Sequence, residues 1–94
     1  MAIRSFRHKG LQRLARNGDA RKVPAAFVDK LQVMLTAIDT AATAAEVEAF
    51  PGWRLHRLTG DLKGFYSLTV SRNLRLIFRF EDGDAFELDL TDYH

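Results

Sequence analysis

The sequence predicts an α+β domain in which N-terminal helices pack on one face of a mainly antiparallel sheet. Three observations carry this. Apolar residues recur at helical spacing only in the first half of the chain, and they alternate with polar ones through the last thirty residues. Two clusters of turn residues cut that final stretch into three strands. The chain has 94 residues, 47% of them hydrophobic and none of them cysteine. A domain of this size buries roughly 60–65% of its unfolded surface, enough for one core without disulfides or a structural metal. A single domain over residues 1–94 is expected.

Taken in order, Ile3 to Phe6 suits a short edge strand. His8 to Asn17 predicts a helix with Leu11, Leu14 and Ala15 as its apolar stripe and Lys9, Arg13 and Arg16 on its other faces. Asn17-Gly18 ends it, because glycine takes the left-handed conformation after a last turn at little cost. Pro24 fits the first turn of a second helix, where its missing N–H is not needed. Phe27, Leu31, Met34, Leu35 and Ile38 then follow at i, i+4, i+7, i+8 and i+11, a core-facing stripe. Thr43 with Glu46 forms a capping box, so a short third helix should run from about Ala44 to Ala49. Phe50-Pro51-Gly52 turns the chain into a strand from Trp53 to Leu58, with Arg54 and His56 sharing one face. Thr59 to Gly64 is a glycine-bounded polar loop.

The three terminal strands are Phe65–Val70, Leu74–Phe80 and Ala85–Leu90. Tyr66, Leu68 and Val70, then Leu74, Leu76, Phe78 and Phe80, then Phe86, Leu88 and Leu90 form the apolar face. Arg75, Ile77 and Arg79, with Glu87 and Asp89, form the other. Matching apolar faces requires loops of odd length, since a slip of one residue reverses a strand. Ser71-Arg72-Asn73 and Glu81-Asp82-Gly83 fit three-residue loops with Asn73 and Gly83 left-handed. That register sets Val70 opposite Leu74, Phe78 opposite Phe86, Thr69 beside Arg75, and Arg75 beside Asp89.

Charge is distributed unevenly under a formal net of +2. Residues 1–22 carry seven basic side chains against Asp19 alone, a net of +6, and residues 51–79 net +5. Residues 23–50 net −3 and residues 80–94 net −6. Two basic segments suggest a positive surface for a polyanion, with Arg4, Arg7, Lys9, Arg13, Arg16, Arg54, Arg57 and Lys63 as the candidate contacts. A solvated helix face and cross-strand ion pairs would produce the same pattern. The charged start, Met1 to Arg7, does not read as a signal peptide, and no stretch is long and apolar enough to span a bilayer. A cytoplasmic protein is expected, with no membrane partner.

No phosphate-loop, dinucleotide-binding or zinc-protease motif is present, and His8, His56 and His94 lack metal-ligand spacing. No metal and no cofactor are expected. RNA cleavage without a metal needs a base for the ribose 2′-OH, an acid for the leaving 5′-oxygen, and cations for the phosphorane. Histidine suits the two proton transfers and arginine the third task. His56, Arg75, Asp92, Tyr93 and His94 supply the catalytic set, with Tyr93 able to stack on a base.

Several blocks carry a resemblance: Ile3 to Leu11, Pro51-Gly52-Trp53-Arg54-Leu55-His56, Gly60 to Ser67, Asn73 to Ala85, and the ending Asp92-Tyr93-His94. In order and spacing the chain resembles the HigB toxins, the plasmid maintenance killer branch of the RelE/ParE superfamily. The resemblance implies a RelE-like microbial RNase fold and a ribosome-dependent messenger-RNA endonuclease of a type II toxin–antitoxin pair. It implies a helix-turn-helix antitoxin of the HigA type, with operator DNA contacted only through that partner. The family's strand histidine falls on His56, its sheet arginine on Arg75, and its terminal acid, tyrosine and histidine on Asp92, Tyr93 and His94. One position departs. Many relatives read His-Pro-Leu-Lys where this chain reads His56-Arg57-Leu58-Thr59, and threonine cannot stabilise an anion by charge. Arg57 and Lys63 are the nearest replacements, although strand alternation turns Arg57 away from His56. A non-catalytic or weakened toxin, acting on a protein target or mainly on its antitoxin, is the competing expectation.

Overall fold

The computed structural model describes residues 1–92, so Tyr93 and His94 lie outside the described residues. Three helices, α1 (Lys9–Asn17), α2 (Val28–Thr40) and α3 (Ala44–Glu48), precede four strands, β1 (His56–Arg57), β2 (Phe65–Thr69), β3 (Leu74–Glu81) and β4 (Asp84–Asp92). The strands form one antiparallel sheet in the order β1-β2-β3-β4.

Each helix starts and stops for a local reason. The Nδ1 of His8 accepts the Leu11 N–H at 3.0 Å and caps α1, and Gly18, at φ 68°, closes it. Pro24 precedes a single 3₁₀ turn that leads into α2. Glu46 accepts the Thr43 N–H at 2.9 Å at the start of α3. Leu11 and Leu14 of α1, and Leu31, Met34, Leu35 and Ile38 of α2, pack on Leu68, Leu76, Phe78 and Leu88 of the sheet in one hydrophobic cluster. Helices cover one face of the sheet, as the alternation implies.

The N-terminal segment does not form a regular strand. It lies parallel to β4 through isolated bridges, Ile3 with Ala85 and Phe6 with Leu88, and so covers an otherwise open edge. The strand expected over Trp53–Leu58 shrinks to His56–Arg57, because Arg54 adopts φ 51° and breaks the extended run.

The β2–β3 pairing matches expectation: Tyr66 opposite Phe78, Leu68 opposite Leu76, Thr69 opposite Arg75. The three-residue loop 71–73 is present, but Asn73 is not left-handed. The Ser71 hydroxyl accepts the Leu74 N–H at 3.2 Å and holds the turn instead.

The β3–β4 hairpin differs. Glu81 and Asp84 pair directly, leaving a two-residue turn, Asp82-Gly83, with φ 50° and 83°. Two consecutive positive φ values are the type I′ pattern, whose twist suits a right-handed hairpin. This even-length turn puts Phe86 opposite Arg79 on the open face, not opposite Phe78. A bulge at Glu87, φ 56°, inserts one residue and returns Leu88 and Leu90 to the core. Beyond the bulge the register has moved by two residues from expectation. Arg75 stands opposite Thr91, and Asp89 stands opposite Ile77.

Candidate active site

The sheet face away from the helices carries Phe65, Ser67 and Thr69 on β2, Arg75, Ile77 and Arg79 on β3, and Phe86, Asp89 and Thr91 on β4. The segment 54–62 folds along its β1 edge and encloses a groove of about 580 Å³. Ser67, Thr69, Arg75, Ile77 and Thr91 make the floor, and Arg54, Leu55, His56, Leu58, Thr59 and Leu62 make the wall. Ile77, expected on a polar face, is 3% exposed there. The wall explains this, since leucines overhang that part of the sheet.

His56 reaches the groove because β1 pairs it with Ser67, while the next residue, Arg57, pairs with Tyr66 and faces the other way. His56 is level with Ser67 and Ile77, and Arg75 lies two strands across and two residues along from it, about 12 Å at the usual spacings. An imidazole and a guanidinium can therefore approach one phosphate from opposite sides.

The guanidinium of Arg75 is held at its root. Its Nη1 donates to the Ser71 carbonyl at 2.7 Å, and more loosely to those of Arg72 and Leu74 at 3.3 Å. These carbonyls belong to the β2–β3 turn, so the turn orients the cation.

Arg54 was grouped by sequence with the general basic surface, yet it lines the groove with His56 and Arg75. Its left-handed backbone costs an L-residue about 1–2 kcal/mol. The neighbours enforce it: Trp53 is buried, stacks on Phe50 at 4.1 Å, and accepts the Thr69 N–H on its carbonyl at 2.7 Å. Sequence alternation placed Arg54 beside His56 but gave no sign of the backbone conformation.

The expected acid does not join this corner through its strand position. Asp92 is opposite Leu74, a core-facing residue, and is exposed at the end of β4. The β4 residue in the groove is Thr91. Tyr93 and His94 lie outside the described residues.

The cationic side chains divide by their partners. Arg4 pairs with Asp84 at 2.8 Å, and Arg7 pairs with Glu87 at 3.2 Å. Glu87 also binds Arg79 at 2.9 Å, and Arg79 reaches Glu81. The Arg79 hydrogen bond, then the nearby Arg7, holds the Glu87 carboxyl below the usual carboxylate range, and Arg4 does the same for Asp84. Arg4 and Arg7 are thus neutralised by the acidic β4. Lys9, Arg13 and Arg16 stand on α1, on the helix side of the sheet, with Arg16 over the Phe6 ring at 5.8 Å. Arg57, over Tyr66 at 5.5 Å, and Lys63 line a separate cleft of about 420 Å³ next to the groove. Neither of the two replacements suggested for the missing lysine lines the groove, whereas Thr59 stands on the boundary and lines both the groove and their cleft.

Among the described residues no three His, Asp or Glu side chains converge as a metal-binding group, and no helix is long and apolar enough to cross a membrane.

Residues 4–94 match the family described as the RelE-like toxin of the type II toxin–antitoxin system HigB. The chain belongs to the HigB toxin family. It is 45% identical over 92 residues to "Endoribonuclease HigB" of Proteus vulgaris, a match covering 98% of this chain and 99% of that protein. It is 33% identical to "Toxin HigB-1" of Vibrio cholerae over 73 residues, 78% of this chain and 77% of the relative. Its fold is similar to that of a YafQ variant from E. coli, with a TM-score of 0.61 at 18% identity, covering 96% of this chain and 90% of that one. The YoeB/ParE toxin of Agrobacterium tumefaciens gives a TM-score of 0.58 at 14% identity, covering 100% and 99%. These likenesses show the RelE-like α+β fold. As a HigB toxin of a type II system, this chain pairs with an antitoxin.

Proposed function

We propose that this HigB-family toxin is an endoribonuclease that cuts messenger RNA during translation by metal-independent acid–base chemistry. The observation that carries the reading is the shared groove of His56 and Arg75, which sets a titratable group and a fixed cation over an apolar and hydroxyl floor. The 45% identical relative named as an endoribonuclease supports it.

In this reaction a base removes the ribose 2′-OH proton and the oxygen attacks the adjacent phosphorus. A phosphorane forms, the bond to the 5′-oxygen breaks, and an acid protonates that oxygen. The products are a 2′,3′-cyclic phosphate and a free 5′-OH. His56 serves one proton transfer, because imidazole exchanges a proton near neutral pH. His94 serves the other, and Tyr93 stacks on a flanking base; both roles rest on family resemblance. Arg75, oriented by its turn, stabilises the charge on the phosphorane. Asp92 is left out of the contact set, given its place opposite Leu74.

The ribosome presents the message and the cytoplasm is the place of action. The partner is a HigA-type helix-turn-helix antitoxin, through which the pair contacts operator DNA. The test is to incubate the purified toxin with translating ribosomes and map the ends of the message. Cuts confined to translated message are expected. Equal rates on naked RNA would refute the ribosome requirement, and no cuts on either would favour a toxin that acts by binding a protein.

A further inference from the structure

We propose that Arg54 is a second catalytic cation of the groove, binding the scissile phosphate in the place that Thr59 leaves uncharged. The inference rests on the endoribonuclease reading above.

Four observations converge. Of the groove-lining residues only Arg54 and Arg75 carry a fixed positive charge. Thr59, which stands where many relatives carry lysine, lines this groove together with Arg54 and also borders the neighbouring cleft. Arg57 and Lys63 line the neighbouring cleft, so neither sits where a groove phosphate would be held. Arg54 makes no ion pair among the described residues, whereas Arg4, Arg7 and Arg79 are each committed to a carboxylate.

The backbone adds one more. Arg54 sits at φ 51°, a conformation that glycine enters freely and arginine resists. Strained non-glycine residues persist where their surroundings over-determine them, and they cluster at functional sites. Here the anchors are the buried Trp53 ring and its carbonyl bond to Thr69. The fold thus holds a long cationic side chain in the wall of the groove, in a backbone geometry better suited to glycine.

The chemistry follows from position. The phosphorane carries more negative charge than the phosphate it comes from, so fixed donors bind it more tightly than the ground state. Arg75 rises from the floor on β3, while Arg54 and His56 line the wall. A phosphate between them meets two guanidinium forks and one imidazole. A cation that stabilises charge without transferring a proton leaves the shape of the pH profile to the acid and base.

The discriminating variant is Arg54→Gly, because glycine accepts the left-handed backbone. It should melt at or above the wild-type temperature. On saturating translating ribosomes its single-turnover cleavage rate should fall by about 10²-fold, with the shape of the pH profile unchanged. Thr59→Lys placed in that background should restore at least about tenfold of the loss, by returning a cation to the groove.

Three results would overturn the proposal. The first is cleavage by Arg54→Gly within about threefold of wild type while Arg75→Ala is inactive; this would leave the endoribonuclease reading standing. The second is a loss confined to ribosome affinity, which would make Arg54 a docking contact. The third is failure of the wild-type chain itself to cut translated message, which would remove both the proposal and the reading it rests on.

Discussion

Replacing Arg75 by alanine separates the chemical role of this residue from its structural one. The side chain is half-buried and donates to the Ser71 carbonyl at 2.7 Å, with two longer contacts at 3.3 Å. A hydrogen bond from a charged donor contributes about 1.5–3 kcal/mol, and an ordinary one about 1. The turn carbonyls can rehydrate once the guanidinium is gone, so the lower figure applies. A loss of about 1 kcal/mol lowers the melting temperature of a domain this size by about 4–8 °C. Position on an open sheet face alone would suggest less than about 0.5 kcal/mol. The turn contact raises the expectation. Catalysis should suffer far more, by about 2.7–4 kcal/mol of barrier or 10²–10³ in rate, the usual effect of removing one preorganised donor. The two effects cannot be confused. A domain that starts with about 5 kcal/mol or more and loses 1 is still almost wholly folded at 25 °C. The assay is therefore single-turnover cleavage on ribosomes at 25 °C beside a melting curve on the same sample. A rate within about threefold of wild type would remove Arg75 from the reaction. A melting temperature lowered by more than about 15 °C would make it chiefly structural.

Gly10→Ala should destabilise the protein by about 1–3 kcal/mol, because the added methyl group would collide with the Lys22 carbonyl oxygen. Helix propensity alone predicts a gain of about 1 kcal/mol, so a raised melting temperature would refute the packing argument. Glu87→Gln should cost stability at pH 7 and cost progressively less as the pH falls below about 4.3, the usual unfolded value for glutamate. Arg79 and Arg7 depress the folded-state pKa of Glu87, so its contribution is present above the unfolded pKa and lost as pH falls through the folded one. A difference in melting temperature between wild type and variant that stayed constant from pH 7 to pH 3 would contradict this. Deleting Tyr93 and His94 should lower ribosomal cleavage by about 10²–10⁴, the range for loss of a general acid–base group. Near-full activity of the truncated chain would take His94 out of the mechanism.

By itself the sequence determined the fold class, the order of elements, the end of α1, the start of α3 and the β2–β3 register. These depend on local chemistry or on side-chain periodicity: the left-handed Gly18, the Thr43/Glu46 pair, the stripe from Leu31 to Ile38, and the alternation through Leu68 and Leu76. It also put Arg54 and His56 on one face of their strand, with Arg57 turned away, because two-residue periodicity survives even in a very short strand; the pairing of His56 with Ser67 is what brings that face to Arg75. It placed Asp82-Gly83 at a hairpin, although that dipeptide signals a two-residue turn more strongly than the three-residue loop that parity demanded. Parity misled because an even-length turn and a one-residue bulge cancel. A bulge leaves little local trace when the residue in it is glutamate. Glu87 holds its left-handed conformation only because the Ser5 hydroxyl accepts its N–H at 2.9 Å and Arg7 and Arg79 bind its carboxylate. Those partners lie up to 82 residues away in sequence. The same holds for Arg54, whose backbone is set by Trp53 and Thr69, and for Gly10, whose missing side chain makes room for the Lys22 carbonyl. The tertiary structure alone decided which arginines are neutralised, which face the groove, and that Thr91 rather than Asp89 stands beside Arg75. Each of these depends on contacts between distant segments, and periodicity along the chain carries no information about them.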